Sequence, residues 1–204
     1  LGLAMVWVNK SYSTGEVILK SSDPNEFPAV DFDMCSDRRD LDRLVKATRM
    51  LARLHAEPAI REAVYEIFPI SYSARARKLA VYSRYNKFQT WLGGQVMDAS
   101  GPIRRLIIDR LIADGPTIDE LMYDDSVVEQ WVRDTVVGHW HASCSCRMGP
   151  ADDPGAVTDP HGRVYGVSRL RVCDASIFPT VPCANTNIST IMIGEKMSDH
   201  ILNG

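Results

Sequence analysis

The sequence of 204 residues has no long hydrophobic run and no excess of basic charge. Its apolar opening, residues 1–8, is too short to span a bilayer and lacks the basic flank and cleavage site of a signal peptide. The net charge of -3 provides no positive field that would attract nucleic acid or acidic lipid. We therefore expect small molecules or other proteins as partners, no nucleic-acid binding and no membrane span.

Cysteine occurs five times, an odd set in a chain that is long enough to build a core without disulfides. This usage favours reduced thiols and a cytoplasmic setting. The chain also lacks an initiating Met, and residues 1–8 have the composition of the middle of a strand. We therefore expect a piece of a longer protein. With 45% hydrophobic and 24% charged residues, the composition is that of a globular protein.

The spacing of apolar residues in the first part of the chain predicts strands followed by a helix. Strand formers separated by Asn, Ser and Gly occupy Val6, Val8 and residues 15–20, as in a hairpin or sheet edge. From Asp40 onward, apolar residues recur at intervals of three and four. This pattern predicts an amphipathic helix that Pro58 bounds.

The middle of the chain alternates a helical stretch, residues 103–113, with a basic and aromatic run at residues 75–85. Such a run can form a nucleic-acid or membrane patch. Because the whole chain is acidic, we favour a solvated helix whose Arg and Lys stems cover apolar neighbours.

The last third predicts two helices and one strand. Residues 126–137 form a helical stripe that Asp124 or Asp125 is placed to cap. Residues 170–174 are a strand candidate, and a final helix begins near Ile188. The first turns of this final helix are apolar nearly all round, so we expect it to be buried.

Titratable and soft side chains are concentrated between residues 139 and 149. Two His and two Cys would suit zinc, but an extended chain directs His139 and His141 to one face and Cys144 and Cys146 to the other. Zinc is therefore a distant alternative. Imidazole also suits acid–base chemistry near neutral pH, although a core histidine bonded to a backbone carbonyl is the commoner explanation for one residue.

A second cluster, residues 182–187, stands immediately before the final helix. The unpaired N–H groups and positive dipole end of a buried helix need an anion or an electron-rich partner. The side chain of Asn185 or Asn187 could be this partner, as a simple N-cap. Alternatively, the helix end stabilises an electron-accepting ring while Asn185 donates a hydrogen bond to a substrate oxygen.

Four segments together resemble the C-terminal signature of the glucose-methanol-choline (GMC) oxidoreductases. They are residues 141–149 (HASCSCRMG), 162–166 (GRVYG), 170–176 (LRVCDAS) and 185–187 (NTN). Residues 13–31, which precede the helix from Asp40, are similar to the substrate domain of that family.

The resemblance implies an FAD-dependent alcohol oxidoreductase. His141 would be the base that takes the proton of a primary or secondary alcohol, and a hydride would pass to flavin N5. Asn185 would be its catalytic partner, while His139 and Trp140 line the site. The residues implied to contact FAD are Asp174, Ala175, Thr186, Asn187 and Ile188.

The resemblance also implies an α+β fold, with an antiparallel-sheet substrate domain and helices in residues 1–150. Residues 151–204 would supply the C-terminal strand and helix of an FAD-binding α/β domain. The Gly-x-Gly-x-x-Gly loop that holds the FAD pyrophosphate is absent from the chain. We therefore expect a missing N-terminal FAD-binding segment, and a chain that is inactive alone.

Residues 60–115 have no counterpart in the family, and we expect a lid or a homo-oligomer contact there. Two other classes of protein stay open. The first is a non-catalytic module that keeps the fold without the chemistry, and the second, less favoured, is a small zinc-binding protein.

Overall fold

The computed structural model describes residues 2–72, 77 and 81–203. Contacts divide the chain into two compact units. Unit 1 comprises Leu1–Val6 and Leu41–Val137, and unit 2 comprises Trp7–Asp40 and Gly138–Gly204. These units group residues by contacts within this chain, so the expected domain boundary at residue 150 stays a prediction.

The described sheet is a small antiparallel ribbon in unit 2. Strand β1 (Glu16–Ile18) pairs with β2 (Ala29–Asp31), with Val17 opposite Val30. Gly15 enters β1 so close to β2 that a Cβ there would lie 2.0 Å from the carbonyl oxygen of Asp31. The ribbon is much smaller than the predicted antiparallel-sheet domain.

The predicted strand at Val6 and Val8 is wrong, because the described chain offers these residues no partner for a ladder of hydrogen bonds. The chain turns at residues 23–25, where Asp23 accepts from the N–H of Asn25 at 2.9 Å. The described fold is thus mostly helical with one small sheet.

Helix α1 (Arg38–Ala56) confirms the amphipathic helix predicted from Asp40. The Asp37 carboxylate accepts from the N–H of Arg39 at 2.9 Å and so satisfies one donor of the first turn. Pro58 bounds this helix as predicted, and it also begins α2 (Pro58–Ala63). Proline suits a first helical position, where no N–H is needed.

The middle segment is helical. Helix α3 (Arg84–Ala99) is followed by α4 (Gly101–Ile107), which continues as a π-helical turn (Ile108–Ile112). The helix predicted at residues 103–113 is confirmed. Of the basic and aromatic run at residues 75–85, residues 75, 76 and 78–80 lie outside the described residues.

Two capped helices complete unit 1. Helix α5 (Ile118–Tyr123) begins with a reciprocal capping box between Thr117 and Glu120. Helix α6 (Asp125–Thr135) is capped by Asp124, one of the two caps predicted. Four buried residues form the core of the unit, and Trp131 packs against it: Ala52, Leu121, Met122 and Val128.

Unit 2 closes with a 3₁₀ turn (Ala175–Ile177) and helix α7 (Asn187–Leu202). The helix predicted near Ile188 is confirmed, but the strand predicted at residues 170–174 is wrong. Arg171 makes a single bridge with Arg163. Asp174 then turns the chain into the 3₁₀ turn, which ends any further pairing.

The prediction of a buried final helix is also wrong. Only one stripe of α7, Ile193 and Met197, packs against Ile177 and Phe178 to form the core of unit 2. The first-turn residue Ile188 is 80% exposed, because no other described element of the unit covers that face. Among the described residues, no helix is long and apolar enough to cross a membrane.

Candidate active site

Backbone hydrogen bonds join segment 141–149 to the 3₁₀ turn Ala175–Ile177. Alternate N–H groups of the extended segment, those of Cys144, Cys146 and Met148, donate to the three successive carbonyls of Ala175–Ile177 at 3.3, 2.9 and 2.9 Å. Segment 141–149 is therefore held against the 3₁₀ turn that follows Asp174. This pairing fixes the position of the backbone that directly follows His139 and His141.

The backbone changes direction on both sides of His141. Trp140 has φ 62° and Cys144 has φ 70°, so both lie in the left-handed region that residues other than glycine seldom adopt. The strict alternation of faces expected for an extended chain therefore does not hold between residues 139 and 146. Among the described residues, no group of three or more His, Cys, Asp and Glu side chains could hold a metal ion.

His141 is half-buried, and among the described residues it is hydrogen-bonded to the hydroxyl of Thr186. Its Nδ1 lies 3.0 Å from Thr186 Oγ1. Thr186 is only 8% exposed and is the N-cap residue of α7, yet its side chain caps no N–H of that helix. The Nε2 atom of His141 has no hydrogen-bond partner among the described residues, which leaves it available to a ligand.

Two aromatic contacts extend from His141 to Trp7. The rings of His139 and His141 meet edge to face, with centroids 5.2 Å apart and an interplanar angle of 73°. The indole of Trp7 stacks on His139 at 5.3 Å and 6°. Trp7 was not among the predicted site residues, and no local pattern in the sequence signals a contact between the opening segment and His139.

The other predicted catalytic residue, Asn185, is exposed beside Thr186. Its side chain makes no hydrogen bond to the described residues, and His141 is bonded to Thr186 instead. Neither Asn185 nor Asn187 caps α7, because Thr186 occupies the N-cap position and Asn187 is the first helical residue. The amide of Asn185 is thus free to bind a ligand oxygen.

The N-terminal turn of α7 has N–H donors that fit the hydrogen-bond acceptors at the edge of an electron-accepting ring. The side chain of its N-cap residue, Thr186, caps none of its N–H groups, and the first-turn residues Asn187 and Ile188 are exposed. A helix N-terminus also carries positive charge from its aligned peptide dipoles. These features fit the pyrimidine edge of a flavin, the group that the resemblance assigns to Thr186, Asn187 and Ile188.

The remaining predicted cofactor contacts, Asp174 and Ala175, lie at the 3₁₀ turn. Asp174 is exposed, and its Oδ1 accepts from the N–H of Ser176 at 2.8 Å. Ala175 is half-buried, and its carbonyl accepts from Cys144. Trp140, predicted to line the site, is 85% exposed.

A second histidine pair lies at the far end of α7. The rings of His161 and His200 meet edge to face with centroids 4.2 Å apart. Burial lowers the pKa of His200 below its ordinary value, and the positive charges of His161, Lys196 and Arg171 lower it further. Loss of water and like charges both favour the neutral ring.

Comparison with known proteins gives a consistent result over nearly the whole chain. Residues 11–194 match the family model described as GMC oxidoreductase. The chain is 39% identical over 202 residues to 5-(hydroxymethyl)furfural oxidase from Methylovorus sp. (strain MP688), with 99% of this chain and 31% of that protein covered. It is 32% identical over 192 residues to oxygen-dependent choline dehydrogenase from Stenotrophomonas maltophilia (strain R551-3), with 94% and 26% covered.

Among solved structures, formate oxidase from Aspergillus oryzae RIB40, a structure that concerns FAD modification, superposes with a TM-score of 0.59. The identity is 20%, and the match covers 92% of this chain and 24% of that one, so it demonstrates likeness of fold alone. The chain spans only 31% and 26% of the two curated relatives. On the family match over residues 11–194, the chain belongs to the GMC oxidoreductases, a family of FAD-dependent enzymes.

Proposed function

We propose that this chain supplies the catalytic base and part of the substrate wall of an FAD-dependent oxidoreductase that oxidises a primary or secondary alcohol. One observation carries the proposal. The half-buried imidazole of His141 is bonded at Nδ1 to Thr186, while its Nε2 has no partner among the described residues. A histidine held at one nitrogen and open at the other is arranged to take and return a proton.

In the proposed reaction, Nε2 of His141 accepts the hydroxyl proton of the alcohol. The exposed amide of Asn185 donates a hydrogen bond to the oxygen on which negative charge develops. Bound FAD supplies the acceptor for the hydride that leaves the carbinol carbon. His139, stacked on Trp7, forms an aromatic wall beside the base. We propose that the exposed Trp140 lines the same site.

The cofactor contacts follow from the donors at the N-terminus of α7. We propose that Thr186, Asn187 and Ile188 face the flavin, and that Asp174 and Ala175 contact the ribityl and pyrophosphate part. Because no Gly-x-Gly-x-x-Gly loop occurs in the 204 residues, we propose that a further FAD-binding segment is needed for activity.

The substrate class follows from the relatives and from the aromatic wall. One relative is a 5-(hydroxymethyl)furfural oxidase and another is a choline dehydrogenase. The stacked rings of Trp7 and His139 offer a flat aromatic surface on which a planar ring can stack. We propose a primary alcohol attached to such a ring as substrate.

Setting and assembly are also proposals. We propose reduced thiols and a cytoplasmic setting, because five cysteines are an odd set in a chain that is long enough to build a core without disulfides. Residues 60–115 lie within the family match, so the expectation that they have no counterpart in the family is wrong. We propose that they form a lid or a homo-oligomer contact. Their described helices present large apolar side chains to solvent, such as Phe88 and Trp91, at 57% and 59% exposure.

The experiment that tests the proposal is anaerobic reduction of the flavin by 5-(hydroxymethyl)furfural and by choline, followed by absorbance in the FAD-loaded enzyme. His141→Ala is expected to slow reduction by roughly two orders of magnitude or more, because the base is lost. His161→Ala, which removes a histidine distant in sequence from the candidate base, is the matched control and should leave the rate nearly unchanged.

Two outcomes would contradict the proposal. Near-normal reduction in His141→Ala would remove His141 from the reaction. Tight FAD binding with no reduction by any alcohol in the unsubstituted enzyme would favour the non-catalytic module.

A further inference from the structure

We infer that Thr186 is a positioning residue that sets the tautomer of His141. In this assignment the Nδ1–H of His141 donates to Thr186 Oγ1, and the lone pair of Nε2 is left free to take a proton. The direction of this hydrogen bond rests on the proposed role of His141 as a base, whereas the contact itself is a property of the chain.

The first support is the unusual use of a threonine at a helix start. At three other helices the N-cap side chain accepts a hydrogen bond from its own first turn: Ser83, Thr117 and Asp124. Thr186 occupies the same position in α7 but makes no such bond. Its hydroxyl contacts His141 instead, at 3.0 Å.

The backbone explains why Thr186 does not cap. The capping residues Ser83, Thr117 and Asp124 are extended, with ψ of 158°, 162° and 111°. Thr186 has φ -78° and ψ -12°, so the chain is already helical there. Capping requires the extended conformation, which turns the side-chain oxygen back toward the second and third N–H groups. The lone pairs of Thr186 Oγ1 are therefore not used by the helix.

The backbone that carries the Thr186 hydroxyl is also held in place. The carbonyl of Thr186 accepts from both the N–H and the hydroxyl of Thr190, each at 2.8 Å. This turn belongs to a helix whose Ile193 and Met197 are buried in the core of unit 2. With Thr186 itself only 8% exposed, water competes little for its hydroxyl. An anchored hydroxyl of this kind can fix the orientation of the ring that it contacts.

The contact matters because a neutral imidazole carries one proton on either nitrogen. If the Thr186 hydroxyl accepts from Nδ1–H, Nε2 is an acceptor and can remove a proton from an alcohol. If the hydroxyl donates to Nδ1, the proton lies on Nε2 and the ring cannot act as a base there. The neighbouring ring of His139 contacts His141 edge to face and makes no hydrogen bond to it. The hydrogen bond of His141 among the described residues is the one to Thr186.

The test is a long-range ¹H–¹⁵N NMR measurement of the imidazole nitrogens in the ¹⁵N-histidine-labelled chain, at a pH where the ring is neutral. The wild-type chain should contain His141 mainly as the Nδ1–H tautomer. Thr186→Val, which keeps the shape but removes the hydroxyl, should yield a mixture of tautomers. Thr186→Ser should restore the wild-type spectrum.

Ser198→Ala is the matched control. It removes a hydroxyl that donates to a carbonyl of the same helix, Gly194, at 2.9 Å, and it should leave the His141 tautomer unchanged. An Nε2–H tautomer in the wild-type chain would overturn the inference whether or not any variant folds. A wild-type tautomer in folded Thr186→Val would also overturn it.

In the FAD-loaded enzyme, Thr186→Val should slow flavin reduction roughly ten-fold or more with little change in the dissociation constant of the alcohol, and Thr186→Ser should recover most of the rate. The two proposals fail separately. Normal reduction in His141→Ala refutes the proposed base, while the NMR measurement decides the tautomer of His141 independently of activity. Slow reduction in that variant, together with an Nε2–H tautomer in the wild type, refutes only the role of Thr186.

Discussion

The carboxylate of Asp40 is buried at 3% exposure, where an unpaired charge would be costly. Its Oδ2 accepts from the N–H groups of Tyr12 and Ser13 at 2.8 and 2.7 Å and from the Ser13 hydroxyl at 2.7 Å. These bonds tie the first turn of α1 to the segment before β1. Bonds to a charged acceptor are among the stronger contributors to stability.

Asp40→Ala should therefore lower the free energy of unfolding by about 3 kcal/mol, because two N–H donors would be left without their acceptor. Urea denaturation followed by circular dichroism measures the change. Asp98→Ala, at an exposed position of α3, is the control and should change the free energy by no more than about 0.5 kcal/mol. Equal effects of the two substitutions would show that the Asp40 contacts contribute nothing specific.

The lowered pKa of His200 predicts a dependence of stability on pH. Because burial and the charges of His161, Lys196 and Arg171 favour the neutral ring in the folded state, with Asp199 opposing them, the unfolded chain binds more protons just below the ordinary pKa of 6.5. Stability is therefore expected to rise with pH through the window from the lowered folded pKa up to 6.5, and to fall on acidification.

NMR titration of the His200 ring protons checks the direction of this shift. His161→Gln should move the pKa of His200 upward, toward its ordinary value, since one of the nearby positive charges is removed. His200→Gln should weaken the pH dependence of unfolding in the same window. A pKa of His200 that stays the same in His161→Gln would contradict the assigned role of the pair.

The residues of the candidate site were only partly predictable. The motif around His141 is recognisable from its residue types. The NTN segment is recognisable from its place before a predicted helix. The contact between His141 and Thr186 joins residues far apart in sequence. It also depends on an N-cap threonine whose side chain makes no capping hydrogen bond. Similarly, the stacking of Trp7 on His139 depends on tertiary packing that periodicity does not encode.

At the scale of elements, helix starts were more predictable than strands. Helices α1, α6 and α7 were anticipated because helical periodicity and caps are local signals. The strand predicted within residues 15–20 contains β1 and is confirmed. Its partner β2 and the missing strand at residues 170–174 depend on which segments pair, and such pairing is not local. The burial of α7 was overestimated because periodicity describes the helix surface and not its neighbours.

The cap of α6 provides a direct test at this scale. The Oδ1 atom of Asp124 accepts from the N–H groups of Ser126 and Val127 at 2.9 and 3.1 Å. Asp124→Ala should lower the free energy of unfolding by about 1 kcal/mol, and Asp124→Asn, which keeps an acceptor, should cost much less. Thermal or urea unfolding measures both. An asparagine variant as unstable as the alanine variant would argue against capping.

The same carboxylate should contribute a pH-dependent term. The hydrogen bond from the Ser126 side chain, with those from the backbone of Val127 and Ser126, lowers the pKa of Asp124 below its ordinary value of 3.8. The stability that it contributes is therefore present above that value and is lost as pH falls through the lowered pKa. The Asp124→Asn variant should lack this part of the acid dependence.

At the scale of the whole molecule, the first turns of α7 expose an apolar face, and the chain spans only 31% and 26% of its two relatives. Both observations bear on what covers that face. Ile188, Ile191 and Met192 are more than half exposed, at 80%, 58% and 56%. An apolar face of this kind usually marks an interaction site. In the proposed enzyme it faces FAD and the segment that holds the cofactor.

The chain alone is therefore expected not to retain FAD after desalting, whereas a polypeptide that adds a segment with the Gly-x-Gly-x-x-Gly loop should retain it. Absorbance of the desalted proteins in the flavin band measures retention. Stoichiometric FAD in the 204-residue chain would contradict the expectation. It would mean that the donors of α7 and the 3₁₀ turn suffice to hold the cofactor.

The exposure of Trp140 gives the segment of His141 an optical reporter. Of the four tryptophans, Trp131 packs against the core of unit 1, while Trp140 is 85% exposed directly beside His141. Indole emission shifts to shorter wavelength when water leaves the ring. The difference in emission between the wild-type chain and Trp140→Phe isolates this indole. It should lie at long wavelength in the free chain, and its blue shift on adding an alcohol would follow occupancy of the segment without any flavin signal.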